Sequence, residues 1–599
     1  MKVLLISADS KYIHSNPAIY SMKAYGDGRK SGSGGCEASC SDNVDICIAE
    51  YTINQPQQKV LADIHKHGAD VIMLSCYIWN RGFISELLDD MAVTEPDAEV
   101  WLGGPEAAFD SRRMLEEHDN VRGIMIGEGE EIFACLLSVY GKYEDAHDIR
   151  LNSVHISEVL KTVDGILFRD DDGSMACTPP RRALDMDSLP FAYEGLSSFE
   201  NRIIYYESSR GCPFSCSYCL SSSDKRLRFR SLEKVKPELK FFLDNNVPQV
   251  KFVDRTFNCD HDRTAEIWRF LRDNDNGVTN FHFEMAADIL NDEELDILRS
   301  LRPGQVQLEI GVQTTNADTI EAIRRTMDFE KLCDNVKAVK AAKNVHLHLD
   351  LIAGLPYEDV DSFARSFNDV FDLRPHQLQL GFLKVLQGAP MACDCERYGI
   401  KYMNRPPYEV LETGWLSYDD IIELKAVEEM VEVYYNTGQF GRSLELMLGG
   451  FDSAFGMFKA LGKWHMSRKL DMVNLSRNSR YENLLEFGLD MVSDNAANRE
   501  LPDELQFREA VIIDYYSREN IKTRPAFLGD ETVGREFAKE FYSSEARRHK
   551  YLTGSELAAT DDPRVLRKHT HLEKTSGGYL LFDYTERDPL TNNAVIMVI

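Results

Sequence analysis

Three cysteines fall within a single turn of chain in the segment Tyr205-Tyr-Glu-Ser-Ser-Arg-Gly-Cys212-Pro-Phe-Ser-Cys216-Ser-Tyr-Cys219. Thiolates are soft ligands, and three of them at C-x3-C-x2-C spacing suit an iron–sulfur cluster. Gly211 and Pro213 favour the tight loop that such a cluster needs. Three protein ligands on a four-iron cluster would leave one iron open to an external chelating ligand. Zinc is the competing metal, but a structural zinc site normally takes four ligands. The nearest further candidates, Cys259 and His261, follow a different predicted strand.

The elements that must position this loop read as a βα alternation from Arg202 to about Lys384. Strands are predicted at Ile203–Ser208, Val250–Val253, Phe281–Ala286, Gln305–Val312, His346–Ile352 and Gln377–Leu383, with helices such as Leu232–Asn245, Arg263–Asp273 and Asp359–Phe371 between them. Six units are too few to close an eight-stranded barrel and suit a partial (β/α)6 barrel. The cysteine loop follows the first of these strands, on the carboxyl-end face where such folds place their chemistry.

Ahead of this region, residues 1–145 alternate near-continuous apolar runs with helical stretches. Strands are predicted at Val3–Ser7, Val44–Ala49, Val71–Ser75, Val100–Leu102 and Gly123–Ile126, and helices at Gln57–His67 and Glu130–Tyr140. That pattern predicts an α/β, doubly wound parallel sheet, a Rossmann-like domain that binds ligands at its strands' carboxyl ends. Those ends carry Ser75-Cys-Tyr77, Gly103-Gly104-Pro105-Glu106 and Gly127-Glu128-Gly129-Glu130. Residues 26–43 form a Gly/Ser-rich insertion whose Cys36 and Cys40 read as incidental thiols. Residues 146–197 read as a connector with a small hairpin, residues 198–392 as the barrel, and residues 393–599 as a mostly helical C-terminal domain with a β-like tail. Cys393 and Cys395 read as exposed thiols in the linker before that domain.

The chain of 599 residues carries 98 acidic and 68 basic side chains, a formal net charge of -30. This disfavours nucleic acid and anionic membranes as partners. A basic run at Lys225, Arg226, Arg228 and Arg230 could still hold a small anion. The 13 cysteines, an odd number, fit reduced thiols better than a disulfide framework. No apolar run reaches the roughly 18 residues of a membrane span, and the N-terminal stretch is too short for a signal peptide. A cytoplasmic location is expected.

With its aromatic Tyr218 before the last cysteine, the cysteine loop resembles the signature of the radical S-adenosylmethionine (SAM) superfamily. The resemblance implies a [4Fe-4S] cluster on Cys212, Cys216 and Cys219 whose open iron is chelated by SAM. It also implies cofactor contacts from Tyr218, Asp254, Glu309, Gln313, Asp350 and Gly354. The last four lie in Glu309-Ile-Gly-Val-Gln313 and Asp350-Leu-Ile-Ala-Gly354-Leu-Pro356. The N-terminal domain resembles the cobalamin-binding domain of one branch of that superfamily, which implies cobalamin contacts from Ser75, Gly103, Gly104, Gly127, Glu128 and Gly129. The C-terminal region, from Arg405-Pro-Pro-Tyr-Glu-Val410, resembles a helical domain of unknown function that follows this pair.

A literal D-x-H-x-x-G motif, whose histidine ligates cobalt in some cobalamin proteins, occurs at Asp63-Ile-His65-Lys-His-Gly68. It ends a predicted helix instead of following the first strand, so Gly68 reads as a helix C-cap. His14, in the loop after the first strand, is near the expected corrin site. A base-off cobalamin without a histidine ligand is expected. The leading function is methylation of an unreactive carbon or phosphorus centre of a small molecule, fed by an external one-electron donor such as flavodoxin or ferredoxin. Radical cyclisation or ring rearrangement is the alternative. A tRNA methylthiotransferase-like enzyme would need a second cysteine cluster, and a non-enzymatic iron–sulfur redox sensor would need a DNA-binding segment.

Overall fold

A computed structural model describes residues 1–30, 44–193, 195–493, 503–521, 523–530 and 533–599. Cys36 and Cys40 lie outside the described residues. The chain divides into two compact units. One comprises Met1–Ala286, Ile323–Arg325 and Lys384–Val410; the other comprises Ala287–Ala322, Thr326–Leu383 and Leu411–Ile599.

In the first unit, strands β1 (Lys2–Asp9), β2 (Asp45–Thr52), β3 (Val71–Ser75), β4 (Glu99–Gly103) and β5 (Val121–Met125) form a parallel sheet. The strand order is β2-β1-β3-β4-β5, so the chain reverses its direction of travel between β1 and β3. Seven of the eight residues of β1 and all five of β3 are buried, because helices cover both faces. The expected hairpin forms as β6 (Ile166–Arg169) and β7 (Met175–Cys177), and β6 pairs antiparallel with β5. Residues 146–197 therefore extend the sheet. A hairpin edge strand can add to a parallel sheet without a crossover, which explains why it read as a separate connector.

The same unit continues with parallel strands β8 (Ile204–Tyr206), β9 (Gln249–Phe252) and β10 (Asn280–Met285). Asp260 starts the helix His261–Asp273 by accepting a hydrogen bond from the Arg263 amide.

The second unit holds parallel strands β11 (Val306–Gln313), β12 (His346–Ala353) and β13 (Gln377–Phe382). Asp328 and Asp359 cap the helices Phe329–Ala341 and Val360–Phe371 in the same way. C-terminal helices pack on this group through Phe367, Phe455 and Phe458. The predicted helix over 443–461 is two helices, Gly441–Leu448 and Ala454–Ser467, interrupted at the Gly449-Gly450 pair. The β-like tail is an antiparallel sheet of β14 (Thr570–Thr575), β15 (Gly578–Arg587) and β16 (Ala594–Val598).

The turn after β12 carries one ionisable group under strain. Glu358 is fully buried and accepts hydrogen bonds from Thr314 Oγ1 at 2.6 Å and Ser366 Oγ at 3.0 Å. Burial pushes its carboxyl up to about 7. A folded-state value above the unfolded one, about 4.3, makes its contribution fully stabilising only below the unfolded value, and the contribution is lost as pH rises to about 7. Glu358→Gln should therefore melt close to wild type at acidic pH and a few degrees above it at pH 8. Thermal melts across that range check this; a gap independent of pH would refute it.

Candidate functional site

The cysteine loop leaves β8 through Ser208–Arg210 and is fixed on three sides. Gly211 has φ +93°, and a Cβ there would meet the Arg226 carbonyl oxygen at 2.4 Å, so only glycine fits the turn. The Ser217 amide donates to the Ile323 carbonyl at 2.8 Å, and the Ser217 carbonyl accepts from the Met391 amide at 2.8 Å. Cys212 and Cys216 are buried, Cys219 is partly exposed, and all three are free thiols. Three thiolate donors in one tight loop fit a cluster. Burial pushes the Cys259 thiol up to about 11.

Around the loop, Asp254 is buried and already engaged. Its carboxylate accepts from the Ser208 amide at 2.8 Å, Ser208 Oγ at 2.6 Å and Ser209 Oγ at 2.8 Å. It braces the turn into the cysteine loop, a role the sequence did not suggest. Tyr218 OH lies 3.3 Å from Arg325 Nη1. In the second unit, Glu309, Gln313 and Asp350 sit on adjacent parallel strands, with Glu309 opposite His348 and Gly311 opposite Asp350. Asp350 pairs with His348 Nε2 at 3.0 Å. Gln313 stands at a register shift with φ +73°, and its buried Oε1 has no hydrogen-bond partner. Gly354 follows at φ +88°.

In the N-terminal sheet, the strand reversal opens into a cavity of about 930 Å³. This is near the upper end of small-molecule sites and lies where a 2-1-3-4-5 sheet binds its ligand. Asp9, Ser75, Gly103, Gly104, Gly127, Glu128 and Gly129 line it, and so do Tyr205–Gly211 and Arg255 from the barrel strands of the same unit. The six residues named from the sequence are thus brought together, though not in equal roles. Gly104 has φ +93° and a Cβ would strike the Cys76 carbonyl oxygen at 2.5 Å, so it closes the β4 turn. Gly127 has φ +99° and open space where a Cβ would stand, leaving its backbone accessible from the cavity. Ser75 Oγ accepts from Asn16 Nδ2 at 2.8 Å. Glu128 accepts from the Leu184 amide at 2.8 Å and from Arg228 Nη2 at 2.5 Å, holding the chain beneath the cavity. The open backbone at Gly127 beside a large cavity fits a bulky planar cofactor.

Burial and the nearby Glu50 push the Asp9 carboxyl on the cavity wall up to about 7. His14 also lines the cavity, with Nδ1 2.7 Å from Tyr205 OH, and burial lowers its pKa. His65 sits on the helix Gln57–His67 and pairs with Glu95 at 2.8 Å; Gly68 caps that helix at φ 55°. The motif containing them plays no part in the cavity. The basic run is also spent internally: Arg228 pairs with Glu128 and Asp224, Arg226 with Asp224, and Arg230 with Glu238. Lys225 donates to Ser215 Oγ at 2.8 Å.

What sequence reasoning missed is the join. Arg210, two residues before Cys212, donates from Nη2 to Glu130 Oε1 at 2.6 Å and to Glu207 Oε2 at 2.8 Å. Glu130 lies in the first turn of the helix that follows the Gly127–Gly129 loop, and the Arg210 guanidinium lowers its pKa despite burial. Only the Gly-Glu-Gly-Glu run itself hinted at it.

A doubly wound sheet opening on a large cavity, set beside parallel strands that present a three-cysteine loop, defines a protein organised around two cofactors. Comparison with known families bears this out. Residues 29–137 match the B12 binding domain, residues 206–370 the Radical SAM superfamily, and residues 396–596 a protein family of unknown function, DUF4080. By these matches the chain is similar, domain by domain, to the cobalamin-dependent radical SAM proteins.

Among characterised relatives, it is 26% identical over 421 residues to the cobalamin-dependent radical SAM methyltransferase TokK of Streptomyces tokunonensis, covering 63% of this chain and 58% of TokK. It is 24% identical over 296 residues to the anaerobic magnesium-protoporphyrin IX monomethyl ester cyclase of Cereibacter sphaeroides, covering 47% and 45% of the two chains. Among solved structures, the cobalamin-dependent SAM radical enzyme OxsB with aqua-cobalamin bound superposes at TM-score 0.58, with 13% identity and coverage of 86% and 84%. Among the described residues, no helix is long and apolar enough to cross a membrane.

Two glycines separate the two kinds of constraint. Gly211→Ala combines a left-handed φ with a backbone clash and should cost about 2 kcal/mol or more. Gly127→Ala carries only the backbone penalty, about 1 kcal/mol. Chemical denaturation of the cofactor-free variants should show the larger loss for Gly211→Ala; equal losses would contradict this account of the loop.

Proposed function

We propose that the chain is a cobalamin-dependent radical methyltransferase acting on an unreactive carbon or phosphorus centre of a small molecule. The observation that carries this reading is the single cavity reached from the carboxyl ends of both β1–β5 and β8–β9. A methyl carrier and a radical source can act on one substrate only if their sites open on the same space. The chain spans 58% of TokK, so substrate and partner are part of the proposal.

In this reading residues 1–145 hold cobalamin, residues 198–392 hold the cluster and SAM, and residues 393–599 select or cover the substrate. Cys212, Cys216 and Cys219 hold a [4Fe-4S] cluster. When bound, the cluster with SAM supplies a 5′-deoxyadenosyl radical, and cobalamin supplies a transferable methyl group. The chain's own residues position these groups. Gly127 offers its open backbone to the corrin side of the cavity, and Gly104 keeps the neighbouring turn out of that space. Asp254 fixes the turn that aims the cysteine loop. The buried, unpartnered Gln313 Oε1 is a free acceptor for a SAM hydroxyl or amine, and Glu309 and Asp350 add acceptors on the same side of β11 and β12. Each reductive cleavage consumes one electron, which an external flavodoxin or ferredoxin would deliver.

Ring formation, the activity in the Cereibacter relative's name, needs the same two domains. The methyltransferase match extends further along this chain, over 63% against 47%.

Two measurements test the reading after anaerobic reconstitution. Cys216→Ala should lose the cluster and all formation of 5′-deoxyadenosine while retaining cobalamin; full iron content and turnover in that variant would refute it. The cob(II)alamin EPR spectrum should show no threefold nitrogen splitting. His14 is already hydrogen-bonded to Tyr205 through Nδ1, and such splitting from a protein imidazole would overturn the reading of a cobalamin without a histidine ligand.

A further inference from the structure

Arg325 lies within hydrogen-bonding reach of a cysteine sulfur of the loop. It follows the short helix Ala317–Ala322. Ile323 is fully buried, and its carbonyl accepts from the Ser217 amide, which pins this segment beneath the cysteine loop. Arg324 then takes φ +55° and pairs outward with Asp394 at 3.5 Å. A left-handed residue at this point redirects the chain, and Arg325 turns back to the loop. Its Nη1 stands 3.8 Å from Cys216 Sγ and 3.3 Å from Tyr218 OH. One guanidinium nitrogen thus bridges a cluster ligand and the aromatic residue between two of the cysteines.

We propose that Arg325 is a positioning residue that raises the reduction potential of the cluster and holds Tyr218 against it. The inference rests on Cys216 being a cluster ligand, as proposed above. A fixed cation and an N–H directed at a ligand sulfur favour the more negative, reduced cluster over the oxidised one, because both interactions strengthen as charge on the sulfur grows. Partial burial enlarges the effect, since the guanidinium is poorly screened by water. Arginine suits the role better than lysine: it stays charged when buried, and its planar fork can serve two acceptors.

The experiment is a dithionite titration of the reconstituted protein, followed by EPR of the reduced cluster, with iron and sulfide content measured alongside. Wild type, Arg325→Met, Arg325→Gln and Arg325→Lys are compared. At equal iron content both neutral variants should titrate at more negative potential than wild type, with Arg325→Lys between them. An unshifted potential in a fully loaded neutral variant overturns the proposal. If both neutral variants fail to load while Arg325→Lys loads, the residue serves loop assembly and the proposal is likewise overturned. Failure of the wild-type protein to bind any cluster would instead refute the reading of the cysteines, which keeps the two failures distinct.

Discussion

The ion pair between Arg210 and Glu130 carries the organisation of the first unit. Glu130 is 4% exposed, and Arg210 forks across both of its oxygens at 2.6 and 3.3 Å while also reaching Glu207. Removing two charges from water costs several kcal/mol per ion, and their attraction repays this only with good geometry and satisfied hydrogen bonds. As a source of stability such a pair is therefore close to neutral. Its value lies in location. One end belongs to the turn that launches the helix after the glycine loop, and the other lies two residues before the first cysteine. Any slip of one site against the other would strand a buried charge, so the pair makes their registry all-or-none.

The surrounding contacts reinforce that registry from independent directions. Arg228 bonds Glu128 on the same glycine loop, Arg202 pairs with Glu50 at the end of β2, and Ser15 Oγ donates to the Ile203 carbonyl ahead of β8. The Ile203 amide in turn donates to the Ile13 carbonyl. Three arginines from the cysteine-bearing part thus meet three glutamates from the N-terminal sheet. The large acidic excess includes carboxylates committed to this seam.

Local pattern made much of this legible. The apolar runs of β1 and β3 announce strands covered on both faces, and all six barrel strands fall within a few residues of their expected positions. The cysteine loop needed only spacing, and Gly68 was readable as a C-cap because the helix around it was. Features that depend on tertiary approach were not legible. Nothing in Asp254-Arg-Thr says that Asp254 would be consumed by two serines in the turn after β8, and a basic run looks the same whether its arginines meet solvent or carboxylates. The hairpin of residues 166–177 was seen but not its attachment to β5, since sheet pairing between distant strands leaves no local mark. The break at Gly449-Gly450 was missed for the opposite reason: the apolar periodicity on either side stays in phase and masks the interruption.

The strands of the second unit show why the barrel side can serve a polar cofactor at all. Along β11 buried residues alternate with partly exposed ones, and the partly exposed set is Gln307, Glu309, Gly311 and Gln313. Their neighbours in register include His346, His348 and Asp350, followed on β13 by Gln377 and Gln379. The other face of the same strands is apolar and lies under helices. By contrast β3 is buried throughout and β1 at all but Lys2. A barrel face filled with leucine and valine would close on itself, because each buried methylene is worth about 0.8 kcal/mol. Carboxylates, imidazoles and amides resist that collapse, since burying them unpaired costs more than the packing would return. Pairings such as His348 with Asp350 hold this face in shape, and Gln313 Oε1 is buried without a hydrogen-bond partner. The alternation in β11 is thus the local cause of a polar face on these strands.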